Sequence, residues 1–196
     1  MLPLSCTHEQ KPEVRQDEIV NQDVIAEQQG NPNPAQLRIQ QHIAGGMQQA
    51  QRHLQAKEFQ KALNVYRSLL VKYPQEKSLV DAYVRTIEDI KGSADKSFDD
   101  EDHVRAGKIY AVLSKNYSTF KAFSRTLSFS KASLRTRIDE CAACLYRKGI
   151  EHYRQNEFSS AISVWESVLS FDPHNAKTKK AVATAQVQVR NLQNVK

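Results

Sequence analysis

Residues 153–175 read YRQNEFSSAISVWESVLSFDPHN, and the distances within that stretch decide the fold. Phe158, Ala161 and Trp165 follow one another at steps of three and four, the spacing of one helix face. Pro173 cannot continue that helix and sets the turn into the next one. Two helices approach closely only where a small side chain stands at their crossing. Ala161 and Gly149 supply that gap, and Trp165 is expected to fill the space between this helix pair and its neighbour.

The same distances recur upstream. Phe59, Ala62, Tyr66 and Pro74 repeat the spacing of Phe158, Ala161, Trp165 and Pro173, and Ala106 with Tyr110 repeats the small-then-aromatic step between them. This is an internal repeat. A helix pair of this kind leaves one apolar face uncovered and must stack on another pair.

The recurrence resembles the tetratricopeptide repeat family. In the last unit Leu145, Gly149, Phe158, Ala161, Trp165, Asp172 and Pro173 stand where that family's signature residues stand. His152 departs from the usual aromatic, with Tyr153 beside it, and Val168 replaces the customary alanine. In the first unit Phe59, Ala62, Tyr66 and Pro74 match, while Ala50 holds the glycine position and Gln49 the leucine position. The middle unit is degenerate. The resemblance covers residues 40–193 and is specific at the two ends.

It implies an all-α fold: antiparallel helix pairs stacked as a short right-handed solenoid with a C-terminal capping helix. It further implies a non-enzymatic module, without cofactor or metal, whose outcome is assembly or scaffolding. In this family the first helices of each pair line a concave groove that grips a peptide or protein partner. By position the groove would hold Met47, Gln51, Leu54 and Gln55 from the first unit, and Tyr146, Arg147, Ile150, Tyr153 and Arg154 from the last. The family's carboxylate-clamp set of lysine and asparagine is not visible.

Periodicity along the chain predicts the individual helices. Ile39, Ile43, Met47, Ala50 and Leu54 mark one face, and a second helix runs from Phe59 to Leu70 before Tyr73-Pro74. A third is expected over Ser78–Ile90, ended by Gly92 and Ser93, with an acidic loop over 92–102 containing DKSFDDED. Val104–Leu113 reads as a fourth, and residues 116–131 as a short helix inside a long connection. A long helix follows over Ser133–Gln155, its stripe formed by Leu134, Ile138, Cys141, Leu145, Gly149 and His152. Phe158–Phe171 and Ala176–Leu192 complete the set.

Composition agrees with helices. Apolar residues make up 40% of 196 residues, and glycine and proline are sparse at six each. The formal net charge of +6 is unevenly spread. Residues 7–34 are acid-rich, whereas Arg105–Lys148 contains Asp139 and Glu140 as its only carboxylates. Such a stretch suits an acidic protein partner, or alternatively nucleic acid or anionic lipid; it also reads as a solvated helix face.

Catalytic and metal motifs are sparse. The CAAC at 141–144 has no second CxxC or close histidine pair to complete a zinc site, and it falls inside a helical pattern. None of the six histidines stands at a metal-binding distance from a carboxylate or another histidine, so each reads as surface or core filler. No Ser-His-Asp order, phosphate-binding loop or GxGxxG occurs; the AGG at 44–46 lies in a helical stripe and follows no strand.

The first residues, MLPLSC, resemble the end of a bacterial lipoprotein signal, in which the cysteine becomes the lipidated residue. Pro3 departs from that pattern, and the basic and apolar regions of such a signal are not in the sequence, so a truncated or misassigned start is expected. The expectation is a polar tether over 1–34, lipidated at Cys6 and ending in GNPNP, ahead of a repeat domain over 35–196. That places the chain at a bacterial cell envelope membrane. The alternative is a cytoplasmic protein with an ordinary polar N-terminus and a free thiol.

Overall fold

A computed structural model describes residues 33–194 of the chain. Seven α-helices occur among the described residues, and no strand. They are α1 Pro34–Gln55, α2 Phe59–Lys72, α3 Lys77–Asp99, α4 His103–Phe120, α5 Lys131–Arg154, α6 Phe158–Leu169 and α7 Ala176–Asn194, with a 3-10 turn at Lys121–Phe123. The chain divides into two units, residues 1–42 and residues 43–196. The first holds the opening of α1, where Leu37 and Ile39 are exposed; Ile39 is therefore not on a buried stripe. Cys6 and all of the tether before Asn33 lie outside the described residues.

Within the second unit one turn geometry occurs three times. Lys57, Glu101 and Asn156 all adopt left-handed backbone, with φ of 59, 60 and 62°. Each donates its N–H three residues back, to Leu54 O, Phe98 O and Tyr153 O at 2.9, 3.0 and 3.1 Å, so a helix-end carbonyl is satisfied as the chain reverses. These turns join α1 to α2, α3 to α4 and α5 to α6. The links from α2 to α3 and from α6 to α7 are a second shared type, with Pro74 and Pro173 exposed in the turn. Helix starts are capped locally. Asp102 accepts from Arg105 N at 3.1 Å, Ser130 and Ser133 form a reciprocal capping box, and Asn175 Oδ1 accepts from Thr178 N at 3.0 Å.

Each helix from α2 onward packs on its sequence neighbour, and α2 also touches α4, as α4 touches α6. Ala62, Ala106 and Ala161 are fully buried, and Tyr66, Tyr110 and Trp165 lie buried beside them. The tightest approach is at Gly149, where a Cβ would stand 2.1 Å from Nε1 of Trp165. The indole therefore lies on α5 within its own helix pair, and it shares a small buried cluster with Ala161, and with Val182 and Ala185 of α7. Two buried clusters result: a large one from Ile43 to Phe171 and a small one around Trp165.

Two expected connections fold differently. Most of residues 92–102 is helix and not loop, because α3 runs through Gly92 and Ser93 to Asp99 and only residues 100–102 turn into α4. Ala94 and Ser97 continue the buried stripe of Ile87 and Ile90, and Tyr110 donates to Asp95 at 2.6 Å. These contacts outweigh the roughly 1 kcal/mol that a helical glycine costs. Likewise α4 continues to Phe120, so the break within 116–131 comes later than periodicity suggests. Phe120 and Phe123 stand edge-on to Tyr83 at 6.0 and 5.9 Å, and Glu88 accepts from Ser128 N at 2.6 Å, which ties the link between α4 and α5 to α3.

Candidate functional site

Helices α5 and α7 border a cleft of about 270 Å³. Tyr146, Ile150 and Tyr153 line it from α5, Trp165 from α6, and Lys177, Lys180, Ala181 and Thr184 from α7. Trp165 Nε1 donates to the Tyr146 carbonyl at 3.1 Å, which fixes the indole. Tyr146 stacks on Trp165 with ring centroids 5.9 Å apart, and Lys177 Nζ stands 4.1 Å from the centroid of the Tyr146 ring. Tyr153 is held between Trp165 and Phe158, at 6.1 and 5.0 Å. The result is an aromatic wall with two ammonium groups beside it, a surface suited to an apolar side chain accompanied by a carboxylate.

The groove expected from position is brought together only in part. Tyr146, Ile150 and Tyr153 share the cleft. Arg154 is exposed outside it, and Arg147 faces a different cleft with Cys144. Met47 and Leu54 pack against the large core cluster, while Gln51 and Gln55 are exposed. The α7 contribution lies outside the positional expectation, which treats α7 only as a cap. Its signal was present, since Lys177, Lys180, Ala181 and Thr184 fall at steps of three, one and three, a single helical face.

Two histidines do meet carboxylates, contrary to the expectation of filler. His53 Nδ1 lies 2.7 Å from Glu58 Oε2, and His152 Nδ1 lies 2.6 Å from Glu157 Oε2. The sequences HLQAKEF at 53–59 and HYRQNEF at 152–158 place both pairs at the same spacing. Five residues is not a helical neighbour distance, so the pairing exists only because the left-handed turn folds the carboxylate back. Hydrogen bonds from Lys61 and His53 hold the Glu58 carboxyl below its usual range. Each pair staples a turn. No cluster of three metal-ligating side chains occurs among the described residues.

The CAAC stretch lies within α5, and both cysteines are free thiols. Cys141 is buried in the large cluster, and burial pushes its thiol up to about 12, far from the reactive thiolate range. Cys144 is half-buried and accepts from Arg147 Nη2 at 3.4 Å. It lines a cleft of about 720 Å³ with Arg147, Lys148 and His103, whose Nδ1 is buried without a hydrogen-bond partner.

Much of the basic stretch is engaged within the fold. Arg135 forks onto Asp172 at 3.1 and 3.0 Å and also pairs with Asp139. Arg137 pairs with Glu140 at 3.0 Å and sits 4.7 Å over the Phe98 ring. Phe120 and Phe129 are core residues, so they offer no stacking platform for bases. No helix among the described residues is long and apolar enough to cross a membrane. No protein-family model matches the chain, and neither a curated protein nor a solved structure is significantly similar to it, so the reading of its function rests on this geometry.

Proposed function

We propose that this protein is a non-enzymatic interaction module of the tetratricopeptide type, which holds a peptide or protein partner in the cleft between α5 and α7. Its helix pairs would continue one another as a short right-handed solenoid capped by α7. The recurrence of one left-handed turn at Lys57, Glu101 and Asn156 supports that arrangement, as does the contact of alternate helices, α2 with α4 and α4 with α6. The observation that carries the binding reading is the Tyr146, Tyr153 and Trp165 wall flanked by Lys177 and Lys180. Aromatic side chains held rigid before binding lose little entropy when a partner arrives, which is why they anchor interfaces. The two lysines favour a partner with a carboxylate beside its apolar anchor.

A pull-down from native extract tests this. Wild-type protein is expected to retain a partner that Tyr153→Ala and Lys177→Glu both release while the helical circular dichroism stays unchanged. An extract that yields nothing for wild type, or the same proteins for all three, would remove the reading. The MLPLSC stretch supports attachment of the chain to a bacterial envelope membrane through Cys6. Incorporation of an alkynyl fatty acid in cells, lost on Cys6→Ser, is the expected result; equal labelling of the two, or none, excludes the anchor.

A further inference from the structure

We propose that a second cavity, between the start of α2 and the first three turns of α4, docks a peptide segment of another protein in which an apolar side chain is flanked by carboxylates. The cavity measures about 470 Å³. Its floor is apolar, formed by Phe59, Ile109 and Val112. Its banks are cationic: Lys57 and Lys61 stand on the α2 side, Arg105 and Lys108 on the α4 side. Glu58 is the one carboxylate at the cavity, and it is already held by Lys61 at 2.6 Å and by His53 at 2.7 Å. Lys57, Arg105 and Lys108 have no ion-pair partner among the described residues. Four cations against one satisfied carboxylate leave a charge for an incoming anion to neutralise.

The walls are fixed before any partner arrives. Gln60 and Asn116 exchange hydrogen bonds through their side-chain amides at 3.2 and 2.8 Å, which ties α2 to α4 at the edge of the cavity. A preformed apolar slot with charges on both banks selects an occupant that has apolar and anionic groups together. A polyphosphate backbone would use the banks and leave the floor wet. A bilayer surface is flat, whereas this floor is recessed between two helices. A short acidic peptide with one bulky apolar side chain fills both. None of these residues belongs to the Tyr146 cleft, so the two sites stand or fall separately.

The test uses the full chain and a fluorescein-labelled synthetic peptide, a central Leu-Phe pair with Asp and Glu on either side, titrated at low ionic strength and read by anisotropy. Saturable binding is expected, weakened about tenfold or more by Lys57→Glu/Lys108→Glu. The gentler Arg105→Gln/Lys108→Gln variant is expected to weaken it several-fold, and it decides the matter if the charge-reversed protein fails to fold. Tyr146→Ala, which disables the cleft of the proposed function, is expected to keep the binding component that Lys57→Glu/Lys108→Glu removes; loss of all peptide binding in Tyr146→Ala overturns the second site. The proposal is overturned if the wild type does not bind or if the charge variants bind as the wild type does. It is also overturned if a peptide with Ser-Ser in place of Leu-Phe binds equally well, or if vesicles of phosphatidylglycerol compete through the same four cations and the peptide does not bind.

Discussion

Gly149 has no room for a side chain. The indole above it cannot retreat, because Trp165 Nε1 is committed to the Tyr146 carbonyl and its ring is stacked on Tyr146. Gly149→Ala is therefore expected to lower stability by about 1–3 kcal/mol through overpacking, read from urea midpoints. Gly45, also helical, would meet nothing within 4 Å with a Cβ added, and Gly45→Ala is expected to raise stability by about 0.5–1 kcal/mol. The left-handed turns give a second residue-level contrast. A glutamate there bears steric strain that glycine does not, so Glu101→Gly is expected to gain up to about 1 kcal/mol, and Asn156→Gly close to nothing because asparagine tolerates the region. Spacing alone revealed that Ala161, Trp165 and Gly149 belong together. It did not reveal that the glycine lies under the tryptophan, because periodicity reports which face a residue occupies and not which atom it meets. The histidine pairs were hidden for a related reason: a turn, and not a helical step, brings His152 to Glu157.

At the scale of elements, α3 is the instructive case. Gly92 and Ser93 followed by acidic residues look like a stop, and local propensity alone would make them one. The helix continues because Ala94 and Ser97 are buried and Asp95 receives the Tyr110 hydroxyl while pairing with Lys91 at 2.6 Å. Burial, with the Asp95 carboxylate adding to it, holds the Tyr110 phenol well above its usual range. Tertiary contact overrides propensity here, and the sequence carried only a faint sign of it in the three-four-three spacing of Ile87, Ile90, Ala94 and Ser97. The continuity is testable: Gly92→Ala is expected to stabilise the protein by about 0.5–1 kcal/mol, as in a helix interior. No gain in the thermal midpoint would mean the segment is not helical. Elsewhere the helices were legible to within a few residues, since Phe59–Lys72 ends just before Tyr73-Pro74 and Lys131–Arg154 just before the left-handed Asn156. The late end of α4 was not, because Asn116 looks like a loop residue until its amide is seen bonded to Gln60 and to the Val112 carbonyl.

For the molecule as a whole, Arg135 and Asp172 join α5 to the turn between α6 and α7, and Asn175 both caps α7 and donates to Asp172 at 3.0 Å. Burial pushes the Asp172 carboxyl up, but hydrogen bonds from Arg135 and Asn175 and the Arg135 charge outweigh it, and the net result lies below the usual range. A depressed carboxyl stabilises the fold fully above its unfolded value of about 4 and loses that contribution as pH falls through the lowered folded value. The thermal midpoint is therefore expected to drop on acidification below about pH 4, and Asp172→Asn to flatten that decline. The all-helical class and the packing of neighbouring helices were readable from the periodicity; the candidate cleft was readable only on its α5 side, because which helix faces Tyr146 depends on how neighbours pack.

Trp165 is the chain's only tryptophan, and it forms part of the Tyr146 cleft. The molecule thus carries its own optical reporter. A guest seated against Tyr146 and Tyr153 alters the polarity around the indole and moves its emission maximum. A guest between Lys57 and Lys108 sits beside no tryptophan and leaves the spectrum as it was. Without any added dye, one emission scan tells the two occupied states apart.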